Sequence, residues 1–162
     1  MDDCGSPVLR ALLDAMPDAV LDTHARLGDV TALVDAAKIV EVMRFLRDTP
    51  EIEFDMLTDV TAVDYLGEQP RFEMVYHLYS VGRNRRLRVK ARVPEEPAEI
   101  DTVTELWSSA NWMEREVWDM YGIRFKDHPD LRRLLLYEEF EGHPLRKDYP
   151  KEKRQPLVGP RN

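Results

Sequence analysis

Residues 71–93, RFEMVYHLYSVGRNRRLRVKARV, decide the fold. Phe72, Met74, Tyr76 and Leu78 fall on every second position. After a gap, Leu87, Val89, Ala91 and Val93 alternate with Arg86, Arg88, Lys90 and Arg92. Successive strand side chains take opposite faces, so a period of two predicts two strands. Each has one buried and one wet face, as antiparallel sheets do. Gly82-Arg83-Asn84 between them has hairpin chemistry, which makes the pair antiparallel. Upstream, Phe54 to Tyr65 (FDMLTDVTAVDY) is rich in Thr and Val and predicts a third strand. Gly67-Glu68-Gln69-Pro70 joins it to the pair as a second hairpin.

Outward from this sheet the pattern becomes helical. Residues 7–16 predict a short helix with Pro7 in its first turn, stopped by Pro17. Ala19 to Leu27 and Val30 to Val34 predict strands, and His24 reads as a strand surface residue rather than a ligand. Asp35 is the expected N-cap of the next helix. Ile39, Val42, Met43 and Leu46 keep helical spacing until Thr49-Pro50, because the residue before proline avoids the helical region. Downstream, Pro94 to Pro97 breaks the sheet and Thr102 to Ala110 predicts a short helix. A second helix runs from Trp112 to Tyr121, with Trp112, Met113, Glu116, Val117 and Met120 on one stripe. Gly122 is its expected left-handed stop. Helices around an antiparallel sheet make this α+β. The expected organisation is a single domain over residues 1–141 and an extended basic C-terminal arm over residues 142–162.

The chain has 162 residues, 43% hydrophobic and 33% charged, the balance of a soluble globular protein. No apolar run approaches the roughly 18 residues of a membrane helix. The acidic start MDDCGSPVLR lacks the pattern of a secretion signal or transit peptide. One cysteine, Cys4, allows no internal disulfide and no cysteine-held cluster. Together these give a cytosolic reading. The net charge is −8, and residues 142–162 carry six basic against two acidic residues, a balance of +4. Residues 1–141 therefore carry −12, 17 basic against 29 acidic. An acidic body argues against nucleic-acid binding. A basic tail on it suits a protein partner with an acidic groove.

Four segments within residues 112–150 then stand out. They are Glu114-Arg115-Glu116; Trp118-Asp119-Met120-Tyr121-Gly122-Ile123; His128-Pro129-Asp130-Leu131-Arg132-Arg133-Leu134-Leu135; and Gly142-His143-Pro144-Leu145-Arg146-Lys147-Asp148-Tyr149-Pro150. In residue type and spacing they resemble the signature of the 30-kDa subunit family of respiratory complex I, the C subunit of NADH-quinone oxidoreductase. Upstream of Trp107 the resemblance rests on element order and length. It implies a non-catalytic structural subunit in the quinone module of the peripheral arm of a proton-translocating enzyme. Such a subunit supports electron transfer from NADH to quinone by assembly. The resemblance further implies no cofactor in this chain, with flavin and iron–sulfur clusters in partner subunits. The implied partner is the 49-kDa subunit, along which the C-terminal arm lies. The implied location is the cytoplasmic face of the bacterial inner membrane, with membrane contact only through the complex. The expected partner interface comprises Trp118, Arg132, Arg133, His143, Pro144, Leu145, Arg146, Lys147, Asp148 and Tyr149, with aromatic and arginine side chains as anchors. An alternative is the matching subunit of a membrane-bound hydrogenase or related dehydrogenase.

Independent chemistry in the chain is weaker. Glu114, Glu116, Asp119, Asp127 and Asp130 with His128 form an acidic run, and a metal-dependent hydrolase would use Glu116, Asp119 and His128. Hard cations need oxygens converging on one point, and Glu114 and Glu116 diverge by about 200° on a helix. The better reading is that Arg115 and the acids make polar contacts fixing this helix to the sheet and tail. Trp107, Trp112 and Trp118 read as core or interface anchors. No glycine-rich phosphate loop follows a strand, and nothing supports nucleophilic catalysis. The expected sites are therefore catalytic none, metal none and cofactor none.

Overall fold

The computed structural model describes residues 3–155. Residues 156–162 of the expected arm, and Met1 and Asp2, lie outside the described residues. Helix α1 spans Pro7–Ala15, with the Ser6 side chain accepting from Leu9 N at its start. Strands β1 (Val20–His24) and β2 (Thr31–Val34) come next. The expected strand to Leu27 stops at His24, because Arg26–Gly28 form a 3-10 turn with Leu27 at φ 58°. Asp35 caps as expected: its side chain accepts from Ala37 N, and one 3-10 turn leads into α2 (Ile39–Asp48).

The hairpins are as predicted. β3 (Met56–Asp64), β4 (Phe72–Ser80) and β5 (Arg85–Val93) pair antiparallel in turn. β2 joins the far side of β5 in parallel, giving the order β1-β2-β5-β4-β3. One sheet face carries Phe72, Met74, Tyr76, Leu78, Leu87, Val89, Ala91 and Val93 into a single core with Leu9 and Leu12 of α1 and Val42, Met43 and Leu46 of α2. The other face is polar but not simply wet. Glu73 is buried there, held by Lys90 at 2.8 Å and Arg92 at 3.1 Å.

Downstream the structure corrects two expectations. Residues 102–109 form turns rather than a helix. Thr102 Oγ1 accepts from Thr104 N and Val103 N donates to the Glu114 carboxylate, while the backbone bonds that follow are isolated turns, Leu106 N and Trp107 N to Val103 O and Ala110 N to Trp107 O. A second, two-stranded parallel sheet also appears: β6 (Glu99–Asp101) against β7 (Arg124–Lys126). Between them runs α3 (Ala110–Tyr121).

The buried side of α3 differs from the expected stripe. Trp112 is 62% exposed and Glu116 is also exposed, while Ala110, Glu114, Arg115, Val117, Asp119 and Met120 are buried. Three charged residues thus face inward. Burying a charge is tolerated only where hydrogen bonds replace its water, and here each has them.

Candidate functional site

The motif residues assemble around the C-terminal end of α3. A helix leaves its last carbonyls without intrahelical donors. Here residues 143–146 supply them. His143 Nδ1 donates to the Asp119 carbonyl at 2.9 Å, Leu145 N donates to Met120 O at 3.1 Å, and Arg146 Nε donates to Tyr121 O. The cationic Arg146 also suits the negative end of the helix dipole. Gly122 closes the helix at φ 75°, its N–H donating to Trp118 O at 2.8 Å.

Gly122 is required twice over. A Cβ there would meet His143 Cδ2 at 2.5 Å and Nε2 at 2.6 Å, in a left-handed backbone that side chains rarely adopt. Gly122→Val is expected to cost roughly 1–3 kcal/mol from backbone strain alone, with displacement of His143 in addition. Denaturant unfolding measures it. Adding His143→Ala should recover part of the loss, since residues in contact are not additive. An unchanged midpoint for Gly122→Val would remove the cap argument.

The Asp119 carboxylate organises the next segment. Its Oδ2 accepts from Leu134 N, Leu135 N and Leu136 N at 3.1, 2.8 and 3.0 Å, and its Oδ1 accepts from Arg133 at 2.7 Å. Burial pushes this carboxyl up, but the four hydrogen bonds together outweigh burial and hold it below the ordinary value. Arg133 continues to the Phe140 carbonyl at 2.8 Å, and its guanidinium lies 5.8 Å from the Trp118 ring centre. Arg115 donates to the carbonyls of Arg132 and Arg133, both at 3.2 Å.

A second anchor lies at the start of β4. Arg71, almost wholly buried, makes a two-pronged bond to Asp64, both contacts 2.8 Å, and another to Asp148 at 2.9 and 3.0 Å. Glu95 completes the set, and Lys147 N donates to Asp64 Oδ2 at 2.8 Å. The bond from Arg71 holds the Asp64 carboxyl below its ordinary value despite burial. The pattern in residues 71–93 marked Arg71 only as a strand start. Its partner Asp148 is 77 positions away, so no local signal reveals the pairing.

Of the ten expected interface residues, most are also bonded within the chain. Arg133, His143, Leu145, Arg146, Lys147 and Asp148 hold the contacts above. Tyr149 stacks on Phe140 with ring centres 6.1 Å apart, and its hydroxyl accepts from Gln155. Trp118 and Pro144 are half-buried. Arg132 is exposed and bonded to Asp130 at 2.9 Å. The hydrolase trio does not converge: Glu116 is exposed and both Asp119 oxygens are filled by donors. Among the described residues no group of three or more His, Cys, Asp or Glu is placed to hold a metal.

Glu114 and His128 form a further buried pair. Both side chains are fully enclosed, with His128 Nε2 3.9 Å from Glu114 Oε2. Burial pushes the Glu114 carboxyl up to about 7, against the hydrogen bonds from Thr102 and Val103.

The family model for the respiratory-chain NADH dehydrogenase 30-kDa subunit matches residues 32–155, most of the chain and all of this site. The chain belongs to that family. The C subunit of NADH-quinone oxidoreductase from Geobacter sulfurreducens is 50% identical over 144 residues, covering 87% of this chain and 88% of that protein. One of the C subunits of the same enzyme from Rhizobium meliloti is 50% identical over 142 residues, covering 88% and 78%. Among solved structures, the trypsin-resistant fragment (1-134) of Nqo5 is similar with a TM-score of 0.67 and 34% identity, over 76% of this chain and 98% of that one. The archaeal membrane-bound sulfane sulfur reductase, a respiratory membrane complex, has a chain that superposes with a TM-score of 0.79 at 27% identity, over 91% and 86%. The matched range includes every residue that closes the end of α3. Among the described residues no helix of this protein is long and apolar enough to cross a membrane.

Proposed function

We propose that this protein is a structural element of the peripheral arm, with no redox centre of its own, that docks on the 49-kDa-type subunit. Flavin and iron–sulfur clusters belong to its partners in this reading. The complex sits on the cytoplasmic face of the bacterial inner membrane, which this chain meets only through its neighbours. Residues 142–162 serve as the arm, and within its described part residues 143–155 are held against the domain at several points.

The observation that carries the reading is how the motif side chains are used. Asp119, Arg133, His143 and Arg146 hold backbone groups. Meanwhile Trp112, Leu135 and Leu145, on α3 and the segments that close it, are 62, 61 and 52% exposed. Rigid backbone presenting exposed apolar and aromatic side chains is the composition of a docking surface.

The test is affinity purification of the tagged chain from cells containing the complex. The intact chain should recover the 49-kDa-type subunit. Trp112→Glu with Leu145→Glu should reduce recovery about tenfold or more, as for loss of a hot spot. Leu27→Glu, at a fully exposed position on the far turn, should not. Equal recovery by all three, or NADH oxidation by the isolated chain, would overturn the reading. A second reading, the matching subunit of another respiratory membrane complex, is favoured by the likeness to the sulfane sulfur reductase chain. The identity of the co-purifying proteins separates the two.

A further inference from the structure

We propose that Glu114 is a neutral carboxylic acid in the folded chain, taking up its proton on folding, so that the joint between α3, residues 102–104 and the His128 turn weakens as pH rises. This goes beyond the docking reading and does not depend on it.

Glu114 has no exposed surface. An ionised carboxylate in that position needs a cation or several strong donors. The nearest cation on its own helix, Arg115, is committed to the carbonyls of Arg132 and Arg133. From the loop, His128 approaches to 3.9 Å, but its hydrogen bonds fix it as neutral. Its Nε2 lies 3.2 Å from the Asn111 carbonyl and must donate, while its Nδ1 accepts from Asp130 N at 3.0 Å and must be bare. A second proton would set two donors face to face. Asp130, the remaining charge beside His128, is bonded outward to Arg132.

Among the described residues the sheet side adds no net positive charge. From β4 comes Tyr76, wholly buried, its hydroxyl lacking a hydrogen-bond partner among the described residues. From β6 comes Asp101, a second acid, paired with Lys126 at 2.7 Å. Both Glu114 and Asp101 oppose ionisation of Tyr76, so these groups share one electrostatic neighbourhood.

A protonated Glu114 has a place for its hydrogen. Oε2 faces Thr102 Oγ1, and Thr102 Oγ1 lies 3.0 Å from Thr104 Oγ1. Glu114 O–H donates to Thr102, which passes its own hydrogen to Thr104, while Oε1 still accepts from Val103 N at 2.8 Å. Every group on that side is then satisfied without a buried charge.

The unfolded chain ionises this group near the ordinary 4.5, the folded one near 7. Between those values the folded state binds more protons, so stability falls as pH rises through the interval. His128 and His143, held below their ordinary value chiefly by burial, act oppositely in the acid range. A Glu114→Gln variant isolates the glutamate, because both histidines remain.

The experiment measures unfolding free energy against pH for the full chain and for Glu114→Gln. Near pH 6 the intact chain should take up about one proton more on folding than the variant. Between pH 5 and 8 the variant's folding constant should gain on the order of a hundredfold over the intact chain's. Parallel pH profiles would overturn the proposal. If Glu114→Gln does not fold, infrared titration of the intact chain decides. A protonated carboxyl band should be present at pH 6 and lost on titration above neutrality, and Thr102→Val should shift it by removing its acceptor. Absence of that band at pH 6 would show an ionised Glu114 and end the idea.

Discussion

Arg71→Leu is expected to lower the unfolding free energy by roughly 3–5 kcal/mol, the cost of breaking a buried ion pair from one side. Arg71 and Asp64 are 2% and 1% exposed at their side chains, so neither can recover water locally. Leucine fills space but leaves Asp64 with only the Lys147 amide. Glu95 and Asp148, with side chains 42% and 46% exposed, are screened by solvent and contribute far less. Asp64→Asn in the Arg71→Leu background should therefore restore much of the loss, because the stranded charge is its main source. The pH dependence should also reverse. In the intact chain Asp64 sits below its ordinary value, so its contribution is present above the unfolded value and lost as acid titrates it. Without Arg71 burial raises it, and mild acid should stabilise the variant. A loss under about 1 kcal/mol would mean the pair only breaks even with an apolar filling, as some buried ion pairs do.

The same pair shows where sequence reading stops. β4 and β5 were legible because their burial is one-sided and long enough, nine residues each, to print a period. β6 and β7 have three residues each, too few for any period to register. The parallel joint between β2 and β5 joins strands separated by α2, β3 and β4, and local pattern holds no record of who pairs with whom. On α3 the helix and its glycine stop were legible, but its inward face was not. Glu114, Arg115 and Asp119 look wet by type. They are buried because residues 102–103 and 132–136, which no helical period connects to them, supply their partners. The motif pointed to the family through these very residues, while the reason each one is needed lies in contacts across the fold.

Asp119→Ala is the second large expected effect, roughly 3–5 kcal/mol, as when a buried charged group loses its partner. Its carboxylate has no exposed surface and holds three consecutive amides and one guanidinium. Alanine leaves the amides of Leu134, Leu135 and Leu136 converging on an empty space, and unmet buried donors cost about 1–3 kcal/mol each unless water enters. The damage should be confined in a way that hydrogen exchange can read. His143 is bonded to the Asp119 backbone carbonyl, which alanine retains. Leu145 N bonds to Met120 and Arg146 to Tyr121, neither of which changes. Exchange should therefore rise at residues 134–136 and stay slow at Leu145. Asp119→Asn should fall between, since its oxygen can still accept while its amide nitrogen meets the donor it cannot bond. Formate, small enough for the vacated space and carrying the missing charge, should slow exchange at residues 134–136 in the alanine variant and leave the intact chain unchanged. Uniform acceleration from 134 through 146 would instead make the whole segment one cooperative unit, with Asp119 holding the tail as well as the turn.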